Sequence, residues 1–153
     1  MSIDAAFDKE LLALMGDAGC ESVLIGFESF RDEELRRYNK SSNARLIADA
    51  IGIMHANDIM IRGNYVVPPD YSEDDFRSLA EYAGTHRVSF AGYTILTPMP
   101  GTQLFADTVH DIVDFDLAKY NFFNCVLKTR LPLEEFYGSL AGLWPIKKGL
   151  EVI

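Results

Sequence analysis

The run Ser22-Val-Leu-Ile-Gly-Phe27 is short, apolar and rich in β-formers on successive positions rather than on every second one. Such a run reads as a strand buried on both faces, the kind found in parallel sheets. Before it, Phe7, Leu11, Leu12, Leu14 and Met15 recur at helical spacing, and Gly19 stands where that helix would stop. After it, residues 31–38 read as a short polar helix, and Asn43 can cap a longer one with Ile47, Ala50, Ile51 and Met54 on its inner face. The pattern then returns, with strands expected near residues 59–67, 88–97 and 122–127, each followed by a helix. Ser72 with Asp75 has the form of a capping box opening a helix to about Ala83, Thr102 begins another, and Pro132 suits a first turn.

Strand and helix alternating in this way imply right-handed βαβ units around a parallel sheet, an α/β fold of about four strands. Four units cannot close on themselves, whereas a full barrel needs about eight units and about 250 residues. The expectation is a small open sheet or a piece of a larger barrel, beginning with a helix as though its strand had been left behind. The 153 residues, 48% of them hydrophobic, suffice for one core of ordinary size, and no linker, low-complexity run or charge block divides them; a single domain over 1–153 is expected.

The formal charge of -9 comes without a lysine or arginine cluster that could neutralise a run of phosphates, so nucleic acid is not expected as a partner. The apolar stretches are too short to cross a bilayer, and the first residues lack a basic region followed by an apolar one; a cytoplasmic protein without a transmembrane segment is expected. Cys20 and Cys125 are the only cysteines, far apart and without a companion at metal-ligand spacing, and they read as buried free thiols. His55, His86 and His110 fall on expected helices or their ends without mutual metal spacing.

In parallel α/β folds the reactive residues gather at the C-terminal ends of the strands. That rule selects Glu28 and Ser29 after the first strand, Arg62, Asn64 and Asp70 on or after the second, and Thr94, Thr97 and the loop Pro98-Met-Pro-Gly-Thr102 on or after the third. Glu28 can accept hydrogen bonds from ribose hydroxyls or amines of a ligand, or cap the helix beginning near Arg31. Arg62 stands between apolar Ile61 and Tyr65 and would need a carboxylate inside a barrel, from Glu28 or from a ligand, unless it faces outward. The prolines and Gly101 of the third loop suit a rigid turn with close backbone approach, and Thr102 a cap.

The segments Gly19-Cys-Glu-Ser-Val-Leu-Ile-Gly-Phe-Glu-Ser29, Asn39-Lys40 and Leu96-Thr-Pro-Met-Pro-Gly-Thr102, in that order and βα context, resemble radical S-adenosylmethionine (SAM) enzymes, particularly those that also carry a cobalamin-binding domain. The likeness spans about residues 7–105, and the later segment 120–136 looks like the tail of the subgroup that includes hopanoid C-3 methylases. In that family an incomplete (β/α)6 barrel holds a 4Fe-4S cluster on a CxxxCxxC motif, and SAM bound to the cluster yields a radical that abstracts hydrogen from the substrate. That motif is absent here, and two remote cysteines cannot replace three converging thiolates. The resemblance therefore implies the C-terminal part of such a barrel, with SAM, the cluster and cobalamin belonging to a full-length parent and none expected in this chain alone. For the residues present it implies a share of the SAM site: Glu28 and Ser29 at the ribose or amino end, Arg62 towards the carboxylate, and backbone at Ile95 and Leu96 beside adenine. Two departures stand out: Ser41 follows the Asn-Lys pair where glycine is usual, and Val66-Val-Pro-Pro-Asp70 replaces a Gly-Leu-Pro-Gly turn.

Three readings follow. The first is part of a SAM-dependent radical methylase acting at an unactivated carbon of a small-molecule or lipid substrate, partnered by the rest of its barrel. The second is a binding or assembly module that kept the fold and lost the chemistry, and the third a self-sufficient hydrolase or aldolase built on Glu28 and Arg62, which lacks a nucleophile elbow, a lysine in an apolar strand or a carboxylate pair. A cut barrel would leave the 22–27 strand with an unpaired edge, so homo-oligomers through that edge are expected.

Overall fold

The computed structural model describes residues 1–41 and 43–144; the last residues of the expected domain, 145–153, lie outside the described set. A 3-10 turn, Ile3–Phe7, leads into α1, Lys9–Asp17, and Gly19 in the left-handed conformation (φ 74°) turns the chain into β1, Ser22–Glu28. Helices α2, Asp32–Arg37, and α3, Ala44–Ala56, connect it to β2, Met60–Val67; α4, Glu73–Thr85, leads on to β3, Phe90–Ile95. Helices α5, Gln103–Thr108, and α6, Leu133–Gly142, follow.

Local chemistry accounts for these boundaries. Asn43 caps α3 through its side chain, Ser72 and Asp75 form the reciprocal capping box of α4, and Thr102 caps α5. The strands pair in the order β1-β2-β3, all parallel, with Leu24, Arg62 and Phe90 aligned in one row and Gly26, Asn64 and Gly92 in the next row on the same face, two residues further along. A bulge between Gly26 and Glu28 ends the regular pairing of β1. The fold is α/β, a three-stranded parallel sheet with helices between the strands, as a partial βα repeat requires.

Two expectations need correction. Residues 122–127 add no fourth strand: Phe122 sits in a turn with φ 67°, and the neighbourhood contributes an isolated antiparallel bridge between Ile112 and Leu127. The reason is local competition, since the Asn121 side chain accepts from the Phe123 N–H and the Asn124 amide and holds a turn where a ladder would need extended backbone. Nor is β1 buried on both faces. Val23, Ile25 and Phe27 point into the core with Ile61, Tyr65, Val67, Tyr93 and Ile95, while the opposite face is open, with Leu24 63% and Phe90 58% exposed.

The covered face carries the stability. Across the three strands Tyr65 stacks on Tyr93 at 5.9 Å between ring centres and meets Phe27 at a tilt at 5.6 Å. Phe136 of α6 meets Phe76 of α4 edge-on at 5.4 Å, which ties the last helix to the same core. On the side of β1 that no strand pairs, the Leu24 carbonyl accepts from the Met1 nitrogen (2.7 Å).

Candidate functional site

At the C-terminal end of the sheet the open face becomes polar. In the row Gly26–Asn64–Gly92 the central amide is flanked by two residues without side chains. A Cβ at Gly26 would lie 2.6 Å from Glu28 Oε1, and one at Gly92 would lie 3.1 Å from Asn64 Oδ1. The glycines thus make the space into which these two polar groups project. Glu28 reaches that space because its backbone turns over at the bulge in a left-handed conformation, φ 65°, costly for any residue with a Cβ and held here by the strand end.

Around this pit lies a cavity of about 290 Å³ lined by Glu28, Asn64, Val66, Thr94, residues 95–97 and Phe122. Lys40 Nζ stands 3.1 Å from Glu28 Oε1, which brings the Asn39-Lys40 pair of the sequence to the carboxylate. The Asn64 amide donates to the Thr94 hydroxyl (3.4 Å), itself donating to the Tyr65 carbonyl (3.2 Å). A carboxylate, an amide and a hydroxyl converging on one small cavity can recognise vicinal hydroxyls or an amine.

The other expected residues are placed differently. Arg62 lies on the same open face one row further from the C-terminal end, between Leu24 and Phe90, with its guanidinium over the Phe90 ring at 5.2 Å; it does not line the cavity. A strand places residues two apart about 6.6 Å from one another, so Arg62 and Asn64 face the same way at different depths. Ile95 and Leu96 line the cavity, but both of their N–H groups are engaged, with the Phe122 and Val67 carbonyls at 2.7 and 2.9 Å. Thr97 is buried and donates to the Ile95 carbonyl (3.0 Å). Asp70 lies on the rim, 3.7 Å from Arg37, beside a neighbouring cavity that shares Leu96.

Ser29 does not join the cavity. It is buried, donates to the Glu34 carboxylate and accepts from the Arg31 N–H (3.0 Å). Glu34 also accepts from the Tyr71 hydroxyl (3.1 Å), and Arg31 bridges Glu34 (3.4 Å) to Asp75 (2.7 Å). Burial pushes the Tyr71 phenol up, which keeps it a neutral donor to Glu34. This cluster, which sequence spacing did not bring together, fixes the turn that follows Glu28.

Burial by itself would raise the Asp75 carboxyl, but hydrogen bonds from the Ser72 hydroxyl and N–H and the Arg31 guanidinium outweigh it and hold the group below its ordinary value. A depressed carboxyl contributes stability that is present above its unfolded value, about 3.9, and lost as the pH falls through the lower folded value. The urea midpoint is therefore expected to fall below about pH 4, and Asp75→Asn to flatten that decline; an unchanged pH profile in the variant would rule out this source.

The cysteines do not fit a 4Fe-4S cluster. Cys20 precedes β1 at the N-terminal end of the sheet, half-buried; Cys125 is buried beyond the C-terminal end, its thiol pushed up by burial and turned to the Leu127 carbonyl (3.4 Å). Among the described residues no group of three or more His, Cys, Asp or Glu side chains could hold a metal ion, and no helix is long and apolar enough to cross a membrane.

No family model matches the chain. Among curated proteins it is 31% identical over 123 residues to the bacteriochlorophyllide d C-12(1)-methyltransferase of Chlorobaculum tepidum, an alignment covering 79% of this chain and 27% of that protein. It is 26% identical over 133 residues to the hopanoid C-3 methylase of Methylococcus capsulatus, covering 87% and 26%. An anaerobic magnesium-protoporphyrin IX monomethyl ester cyclase of Cereibacter sphaeroides is 27% identical over 128 residues, covering 83% and 21%. The chain spans about a quarter of the length of these relatives. These homologues, bacteriochlorophyllide and hopanoid methylases and a cyclase, are related to it at low identity over most of its own length.

Proposed function

We propose that the chain forms part of the SAM and substrate cavity of a radical SAM methyltransferase that uses cobalamin and methylates carbon on an apolar small molecule or lipid in the cytoplasm. The observation that supports this most directly is the Gly26–Asn64–Gly92 row, with the Glu28 carboxylate folded over Gly26 at the C-terminal end of a parallel sheet. A side chain at either glycine would meet the Glu28 carboxylate or the Asn64 amide, so the room these two groups occupy is built into the sheet. SAM, when bound, would supply the activated methyl group and the radical precursor. Glu28 would accept from the ribose hydroxyls or the amine, with Lys40 orienting it, while Asn64 and Thr94 complete the polar end. Arg62, deeper on the same face and stacked on Phe90, would pair with an anionic group arriving from above. The cluster would rest on residues outside this chain, the remainder of the barrel being the partner of the open face. The same reading gives β1 a free edge and Leu24, Met60 and Phe90 an exposed apolar surface, through which the isolated chain would self-associate.

Calorimetric titration of the chain with S-adenosylhomocysteine tests the cavity. Binding is expected, weakened on the order of tenfold by Glu28→Ala, as follows from losing hydrogen bonds to a charged acceptor. No heat at millimolar ligand, or an affinity indifferent to Glu28, would overturn the assignment.

A further inference from the structure

We infer that Phe122 is the wall on which the planar heterocycle of a nucleoside stacks in the cavity beside Glu28 and Leu96. The inference rests on the proposed reading of that cavity and adds a residue which neither motif nor spacing marks. Phe122 lines the cavity and is 47% exposed, so its ring is not a core group. Its φ of 67° is a conformation that glycine or asparagine adopts readily and a bulky aromatic residue seldom does.

The surroundings hold it there from several sides. The Phe122 carbonyl accepts from the Ile95 N–H (2.7 Å), which anchors the turn to the end of β3. Asn121 Oδ1 accepts from the Phe123 N–H (3.1 Å) and the Asn124 amide (3.0 Å), its own amide donates to the Ala118 carbonyl (3.1 Å), and the Tyr137 hydroxyl accepts from the Cys125 N–H (2.8 Å). A strained residue kept in place without burial in return is what a ligand-facing position looks like, since the fold alone would be served as well by glycine. The chemistry of the cavity names the ligand class. Glu28, Asn64 and Thr94 offer acceptors and donors for hydroxyls or an amine, and Phe122 lines the same cavity. A nucleoside carries both hydroxyls and a π-surface, and base–aromatic stacking tolerates any base because it needs only the ring face.

The test uses the full chain as wild type and as Phe122→Ala, Phe122→Trp and Phe122→Gly, with adenosine and S-adenosylhomocysteine as probes in equilibrium dialysis, and proton NMR of the adenine H2 and H8. Stacking predicts that both protons move upfield on binding, that Phe122→Ala weakens both probes about tenfold or more, and that Phe122→Trp retains them. Phe122→Gly should melt at or above the wild-type temperature while binding as poorly as the alanine variant, since relieving a left-handed aromatic residue favours the fold. Wild type that binds while Phe122→Ala binds equally well, or adenine protons that do not shift upfield, overturns the role of Phe122 and leaves the cavity assignment standing. Wild type that binds neither probe overturns both.

Discussion

Phe136→Ala is expected to lower the unfolding free energy of the chain by about 3–5 kcal/mol, the range for removing a fully enclosed phenylalanine from a core. The ring is completely buried, meets Phe76 edge-on at 5.4 Å and belongs to the same cluster as the sheet residues Ile25, Phe27, Tyr65 and Ile95. The loss combines the transfer of the ring with the cavity left between α4 and α6, and a domain has only about 5–15 kcal/mol in total. Urea unfolding followed by circular dichroism measures it: the midpoint should fall sharply with an unchanged slope. A loss under about 1 kcal/mol would mean that α6 is not part of the cooperative unit built on the sheet.

Glu34→Ala is expected to cost about 3 kcal/mol, with Glu34→Gln losing roughly half as much. The alanine variant leaves the buried hydroxyls of Ser29 and Tyr71 without their common acceptor and frees Arg31 from one of its two carboxylates. Glutamine keeps one acceptor oxygen in place, so the loss in Glu34→Gln reports the charge, and the difference between the two variants reports the acceptor shared by Ser29 and Tyr71. Thermal and urea unfolding of both would check this; equal losses would show that the charge, which both variants lack, carries the whole effect and that the neutral acceptor oxygen contributes nothing. Because Ser29 directly follows Glu28, Glu34→Ala should also loosen the strained strand end, and S-adenosylhomocysteine affinity should fall with stability.

Much of the scaffold was legible because its signals are local. Asn43, the Ser72–Asp75 pair and Thr102 cap the helices expected of them, since capping depends on a side chain within three residues of the N–H groups it serves. Three of the four expected strands formed, parallel and in chain order, because βα alternation leaves little other topology. The placing of Glu28, Asn64 and Thr94 followed from one general rule about strand ends, and the structure brings these three to one cavity.

What failed to show in the sequence was decided by partners distant along the chain. Ser29 had the look of a ligand-facing hydroxyl, yet Glu34, Tyr71 and Arg31 draw it inward, a grouping with no spacing pattern. Phe122 looked like part of a strand, whereas Asn121 and the end of β3 hold it as a turn over the cavity. By itself the sequence determined the βα repeat, the helix caps and the polar residues at the strand ends, because periodicity and capping act within a turn or two of backbone. Only the tertiary structure decided which sheet face is covered and which open, how far Arg62 lies from the strand end, and that two glycines in neighbouring strands hollow out the space around Asn64. Those outcomes depend on inter-strand register, which is set by packing over the whole sheet rather than by any one segment.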